Sequence, residues 1–261
     1  MAESDSVKVA VTNHTKTIEL NRQDKLNALS MGVLEELKQA IEDVYDNPDI
    51  KGAIITGKGG KAFAAGTDID QISRLNEMNG RKFAEFGQEI LDLVENCHKP
   101  IVAAIDGYCL GAGMELAMAC HLRICTENSK FGMPEANVGM IPGFGGTQRL
   151  TRLVGKSKAL ELLMTCDFVN AQEAKNAGLI NYLVSDPEEL EFKSNSVLEK
   201  ITTKAPLAIG MIINCVNAAF GNQEAGFQTE ANSFSNCIKS HDFKEGIMAF
   251  VDKREPNFTG E

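Results

Sequence analysis

Three segments crowd small residues against a single acid, an arrangement that suits a ligand pocket. The first is Phe63-Ala-Ala-Gly66-Thr67-Asp68-Ile69, and the second is Gly107-Tyr-Cys-Leu-Gly111-Ala112-Gly113-Met-Glu115-Leu-Ala. The third is Met133-Pro134-Glu135, followed by Gly139-Met-Ile-Pro142-Gly143-Phe-Gly145-Gly146-Thr147. Small residues ahead of a helix let the backbone come close to a ligand, with free N–H groups at the positive end of the helix. The Ala112 N–H is placed to meet an anionic oxygen. Glu115, three residues later, shares that face of the helix. An oxyanion donor and a carboxylate then look into one pocket. Glu115 otherwise stands among Met114, Leu116, Ala117 and Met118, where an uncompensated carboxylate is costly.

Each segment also has a plainer reading. Glu115 could balance a buried basic residue, and Glu135, after Pro134, could be a first-turn acid favoured by the helix dipole. Gly145-Gly146-Thr147 reads as a tight turn with Thr147 as an N-cap, and Thr67 and Asp68 could cap a helix. The case for chemistry rests on the three segments together. A dinucleotide fingerprint is a poor match: Leu116 is too large for the third small position, and the acid Glu135 follows a proline instead of ending a strand. A Walker lysine is absent after Gly143-Phe-Gly-Gly146-Thr147.

These segments need elements to position them. Val7 to Val11 and Thr17 to Leu20 read as a hairpin joined at Asn13-His14. Ser30 caps a helix whose apolar positions Leu34, Leu37, Ala40, Ile41 and Val44 recur at helical spacing. Gly52 to Gly57 and Ala62 to Ala65 read as strands, and a helix through Phe83, Phe86, Ile90 and Val94 ends before Pro100. Ile101 to Ile105 is a strand, Gly111-Ala-Gly113 opens a helix to Cys120, and Leu122 to Cys125 returns as strand. The repeated strand-then-helix unit predicts an α/β architecture. From about residue 187 the pattern becomes helical, over Glu188–Ile201, Pro206–Phe220, Glu224–Ile238 and Phe243–Val251. Met211, Ile212, Phe220, Phe227 and Phe234 in this part look exposed, which predicts packing on another subunit.

At 261 residues the chain is long enough for one large domain, and 43% apolar with 24% charged residues supply an ordinary globular core. With 26 basic residues against 36 acidic ones the net charge is −10, which disfavours a wholly basic nucleic-acid surface. No apolar stretch approaches the ~20 residues of a membrane helix. Met1-Ala-Glu-Ser-Asp is acidic, with no apolar or Arg-rich stretch, so no secretory or organellar leader is expected. The seven cysteines have no C-x-x-C spacing and read as reduced thiols of a cytoplasmic core. The four histidines are dispersed, and no zinc site is visible.

Taken in order, these motifs resemble the crotonase (enoyl-CoA hydratase/isomerase) superfamily. The similarity is carried by Asn21-Arg-Gln-Asp-Lys-Leu-Asn-Ala-Leu29, Phe63 to Ile69, Val102-Ala-Ala-Ile-Asp-Gly to Ala117, and Phe131-Gly-Met-Pro-Glu135. It continues through Ile141-Pro-Gly-Phe-Gly-Gly-Thr-Gln-Arg-Leu150 and Ala249-Phe-Val-Asp-Lys-Arg254. The resemblance implies an α/β spiral of repeated ββα units, over residues 1–195, with a C-terminal helical trimerisation region over 196–261. It implies a homotrimer or a homohexamer built as a dimer of trimers. It implies an acyl-CoA substrate, no separate cofactor and no metal, with no nucleic-acid or membrane partner.

By motif, the backbone N–H groups of Thr67 and Ala112 would form the oxyanion hole, and Glu115 and Glu135 would be the catalytic acids. Relatives usually carry Ala or Gly where Thr67 stands. Lys25, Ala65, Asp68, Ile69, Phe234 and Lys253 match positions that bind the CoA thioester. The position after Ile69 is often Lys in relatives but is Asp70 here, and His121 stands where many have Asp. The implied activity is enoyl-CoA hydration: Glu115 would deprotonate water and Glu135 would protonate Cα of a short trans-2-enoyl-CoA such as crotonyl-CoA, giving a 3-hydroxyacyl-CoA. An enoyl-CoA isomerase is the alternative, though it needs only one acid. A third branch binds RNA through a lysine-rich first helix, but here that helix carries Glu35, Glu36, Glu42 and Asp43 against Lys38. Phe83, Phe86 and Phe144 would either close the acyl pocket or belong to the core.

Overall fold

The structure is a computed structural model, and it describes residues 6–221 and 223–261. The acidic pentapeptide on which the expectation of no leader rests lies outside them. β1 (Val7–Thr12) and β2 (Thr15–Leu20) pair antiparallel, Thr12 opposite Thr15. Asn13 and His14 between them both lie in the left-handed region, at φ 49° and 64°, as a two-residue hairpin turn requires. Ser30 caps α1 (Met31–Asp46), its hydroxyl accepting from the Val33 N–H at 3.2 Å. The helix buries the stripe Val33, Leu34, Leu37, Ala40, Ile41 and Val44 that its spacing predicts.

Three strand–strand–helix units follow. β3 (Gly52–Gly57) and β4 (Ala62–Ala65) lead into α2 (Ile69–Ile72) and α3 (Glu77–Glu95). β5 (Ile101–Ile105) and β6 (Tyr108–Leu110) lead into α4 (Ala112–Ala119). β7 (Leu122–Thr126) and β8 (Lys130–Gly132) lead through a 3-10 turn at Pro134–Val138 into α5 (Gly146–Thr165), which is broken at Gly155. The first strand of each unit joins one sheet and the second joins another. With β9 (Val169–Asn170), α6 (Ala171–Asn176) and β10 (Tyr182–Val184), the sheet orders are β1-β2-β3-β5-β7-β10 and β4-β6-β8-β9. Pairing is parallel except for β1 with β2 and β8 with β9. This is the expected spiral of ββα units.

The large sheet is covered on both faces, which is why β5 reads Ile-Val-Ala-Ala-Ile with every residue buried. Ile101, Ala103 and Ile105 belong to the main core with α1, α3 and α4. Val102 and Ala104 face the other way, where Leu190 and Leu198 of α7 (Pro187–Thr202) close a smaller cluster. The expected division between residues 195 and 196 therefore falls inside α7, between two leucines of one cluster. The remaining helices are α8 (Pro206–Ala218), α9 (Gln223–Lys239) and α10 (His241–Asp252). They leave Ile212, Phe220, Phe227 and Phe234 exposed as expected, while Met211 is half-buried.

Candidate active site

The small sheet sets the geometry. β4 and β6 run parallel with Ala65 opposite Leu110, and β6 and β8 run parallel with Leu110 opposite Gly132. One step past the first pair stand Gly66 and Gly111, both at positive φ (85° and 49°), and one step further stand Thr67 and Ala112. The two glycines turn the strands at the same level, so the two residues predicted as oxyanion donors end side by side. A Cβ on Gly111 would lie 3.4 Å from the Gly66 Cα, which measures how closely the turns approach. Thr67 bridges to Leu29, and that bridge uses the Leu29 N–H to the Gly66 carbonyl (2.9 Å) and the Asp68 N–H to the Leu29 carbonyl (3.0 Å). The Thr67 N–H is left without an acceptor among the described residues. Ala112 opens α4 with no side-chain cap, so its N–H also points out of the helix end.

Glu115 sits in the first turn of α4 and is only 1% exposed. One of its oxygens, Oε1, accepts from two backbone N–H groups, Phe144 at 2.8 Å and Gly146 at 2.7 Å. That leaves Oε2 as the oxygen open to a reacting molecule. Burial pushes the Glu115 carboxyl up to about 7, and the nearby Glu135 charge adds to this. The two N–H donors and the Arg149 cation oppose it without prevailing. The plainer reading of Glu115, a buried basic partner, does not hold: its direct partners are amides. The segment 143–147 also corrects the expected cap. Gly145, at φ 96°, is the N-cap of α5 and Thr147 lies inside the helix, because the Phe144 and Gly146 amides are turned toward Glu115 rather than toward a capping hydroxyl.

Glu135 lies in the first turn after Pro134, three residues past the end of β8. Its Oε1 fills the space a side chain on Gly111 would need, since a Cβ there would sit 2.7 Å away. Its Oε2 is buried with no hydrogen-bond partner among the described residues. Burial raises the Glu135 carboxyl as well. Such an oxygen stays satisfied only if protonated or matched to an incoming group. The site therefore holds two acids biased toward the protonated form, close enough to feel each other, beside two unpaired amides. It can bind a developing oxyanion and move protons on either side of it.

The other predicted positions divide. Lys25, Ala65, Asp68 and Ile69 gather around the first donor, since the Ala65 N–H bonds to the Leu26 carbonyl at 3.0 Å. Ile69 is exposed and free to meet a ligand, and exposed Lys25 lies 3.5 Å from Asp70. Asp68 is buried and already engaged: Arg22 donates to it at 2.8 Å, and it caps α2 through the Asp70 N–H at 3.1 Å. Phe234 lies in α9, and Lys253 caps the C-terminal end of α10. The segment after Lys253 lines a cavity of about 1450 Å³ with His14, Lys51 and Pro100, at the amino ends of β2, β3 and β5. Phe144 is buried, with its ring 5.4 Å from that of Phe83, and Phe86 packs against the same core. His121 is a fastener: its Nδ1 accepts from the Ile101 N–H at 2.8 Å, and burial lowers it to about 4, so the ring is neutral. Sequence reasoning quoted Arg149 within a motif and gave it no role. Its signal is an arginine one turn into a helix, just after Gly143, Gly145 and Gly146.

Residues 11–261 match the enoyl-CoA hydratase/isomerase family. The chain is 42% identical to a crotonyl-CoA hydratase of Syntrophomonas wolfei, over 92% of both proteins. It is 36% identical to a short-chain-enoyl-CoA hydratase of Clostridium acetobutylicum, over 91% of both. Its fold superposes on an enoyl-CoA hydratase from Bacillus anthracis with a TM-score of 0.93, at 36% identity, covering 98% of this chain and 100% of that one. With a paired-acid pocket at the ends of β4, β6 and β8 and a match that runs nearly end to end, the chain belongs to the enoyl-CoA hydratase/isomerase family.

Proposed function

We propose that the protein is a short-chain enoyl-CoA hydratase, adding water reversibly and syn across a trans-2-enoyl-CoA such as crotonyl-CoA. The observation that carries this is Glu135 Oε1 packed against the Gly111 turn, near enough to raise Glu115, with the free Thr67 and Ala112 amides following the adjoining Gly66 and Gly111 turns. The thioester oxygen accepts from both amides. Glu115 takes a proton from water through Oε2 as the water oxygen bonds to Cβ, and the displaced electron pair collects on the thioester oxygen as an enolate. Collapse of the enolate takes a proton from Glu135 onto Cα. A proton passing from Glu115 back to Glu135 restores the starting state. Oxyanion donors of this kind are each worth ~2.7–4 kcal/mol. Coenzyme A is part of the substrate, and the chemistry needs no further cofactor.

An isomerase would move a proton with one acid, and the presence of a second buried acid favours hydration. The assay is loss of the enoyl thioester's ultraviolet absorbance with crotonyl-CoA, with products identified by mass. Double-bond migration without a mass gain of one water would refute the hydratase reading. Lys25, exposed beside Asp70, would meet the CoA phosphates. Lys253 and Phe234, on the helices that leave apolar faces exposed, would reach CoA from the C-terminal region. The exposed apolar faces of α8 to α10 support association as a trimer or hexamer, which light scattering measures. Seven unpaired cysteines fit a reducing compartment, in keeping with a cytoplasmic enzyme. No helix among the described residues is long and apolar enough to cross a membrane.

A further inference from the structure

We propose that Arg149 is a positioning residue for catalysis: with one face of α3 it clamps the Phe144–Gly146 backbone, and so fixes the oxygen of Glu115 that does not react. The inference rests on the hydratase reading and adds to it a residue outside the reacting pair. Arg149 is 5% exposed, in the first turns of α5. Its Nη1 donates to the Phe144 carbonyl at 2.7 Å, while Nε donates to Glu95 Oε2 at 2.9 Å and Nη2 to Asp92 Oδ1 at 2.5 Å. Both acids belong to α3. Phe144 thus has its carbonyl held by Arg149 and its N–H aimed at Glu115.

The rest of that α3 face grips the same loop. Gln88 donates to the Gly143 carbonyl at 2.8 Å. The Phe144 ring lies on bare backbone at Gly87, where a Cβ would be 2.1 Å from Cδ1. Gly145 has no room for a side chain, since its Cβ would meet Arg149 Nη1 at 2.4 Å. Phe83, Gly87, Gln88, Asp92 and Glu95 recur at helical spacing along α3, so a single helix face supports Gly143 and Phe144 directly and holds Arg149 through Asp92 and Glu95. A loop held from one side only could let its two amides drift from Glu115. A buried guanidinium with three separate acceptors removes that freedom, because its planar fork fixes all of them together.

The charged groups facing this assembly set the sign of its pH effect. Glu115 meets Glu135 and Arg149, Arg149 meets Asp92 and Glu95, and Arg152 approaches Glu95 at 3.8 Å. Removing Arg149 takes away a cation that favours ionised Glu115 and loosens two amide donors that also favour it. The group that must be ionised to accept water's proton then ionises at higher pH.

The test uses the full chain with crotonyl-CoA and compares Arg149→Met with the parent. The expected result is a kcat reduced by about tenfold or more, a KM within about threefold, and an acid limb of the kcat profile displaced to higher pH. In a Glu115→Gln background the same change should cost less than about twofold, because Arg149 acts through Glu115. Gln88→Ala, at an exposed position, loosens the other end of the clamp without a buried vacancy and should show the same pattern at about two- to fivefold. If Arg149→Met fails to fold, Gln88→Ala decides. An unchanged acid limb in the folded variants, or an undiminished loss in the Glu115→Gln background, would overturn the proposal. A parent that does not hydrate crotonyl-CoA would instead overturn the hydratase reading beneath it.

Discussion

Gly146→Ala isolates the placement of Glu115 from every other property of the fold. Gly146 is the first residue of α5, with ordinary helical backbone, so alanine brings no conformational strain. The added Cβ would lie 2.8 Å from Glu115 Oε1 and 2.9 Å from its Cγ, with the Met133 Cε at 2.6 Å on the other side. Carbon and oxygen without a hydrogen bond between them pack at roughly 3.3 Å or more, so the carboxyl must retreat by about half an ångström. The flexible Met133 end can yield, but Glu115 cannot move without stretching its 2.7 Å and 2.8 Å bonds to the two amides. A hydrogen bond to a charged group contributes about 1.5–3 kcal/mol, so losing one predicts a kcat lower by about 10- to 100-fold. KM for crotonyl-CoA should stay within about threefold, and thermal unfolding should shift by no more than a few degrees. Steady-state kinetics and a melting curve on the same preparation read all three. Parental kcat in a folded Gly146→Ala protein would refute the assignment of Oε1 as the anchored oxygen.

Other perturbations test neighbouring parts of the argument. Glu115 titrates near 7 in the fold, above an ordinary carboxyl, so the native state binds the extra proton and stability falls as pH rises between those values. Glu115→Gln should therefore be more stable than the parent at pH ~8, by on the order of 2–3 kcal/mol, with the difference fading toward pH ~4 in urea titrations. Glu135→Gln should lower kcat by about 10²–10⁴-fold, with little change in KM, in the hydration assay. Lys25→Met should raise KM about two- to fivefold and flatten its salt dependence, whereas Asp70→Asn, which frees Lys25 from its 3.5 Å partner, should lower KM.

Much of this was legible before the fold. The stripe of α1, the Asn13-His14 hairpin and the strand–helix alternation follow from local spacing, which is where propensity and burial agree. Glu115 stood out because a carboxyl among Met114, Leu116 and Met118 demands a reason. The partners that supply the reason did not stand out, because they are backbone amides of Phe144 and Gly146, about thirty residues away, and an amide has no residue type to read. Thr147 misled for the opposite reason: its side chain suits a cap, but the turn had already committed its amides to a tertiary partner. Asp68 was legible as an acid beside the site, yet its bond to Arg22 spans 46 positions and needs the fold to be seen. Arg149 was hidden because its acidic partners, Glu95 and Asp92, lie 54 and 57 positions away and meet it only in the fold.

The step between adjacent strands of the small sheet acts as a ruler for the reaction. Thr67 and Ala112 occupy equal positions two residues beyond neighbouring strands, whose axes a parallel ladder spaces about 4.8 Å apart. A single oxygen can stand about 2.9 Å from both nitrogens at that separation, and from neither pair two strands apart. Glu135 follows the third strand, one further division along. Recognition of the carbonyl is thus written in the spacing of peptide groups, while the choice of proton chemistry is left to side chains carried by the next strand and by α4. The two parts can be altered independently.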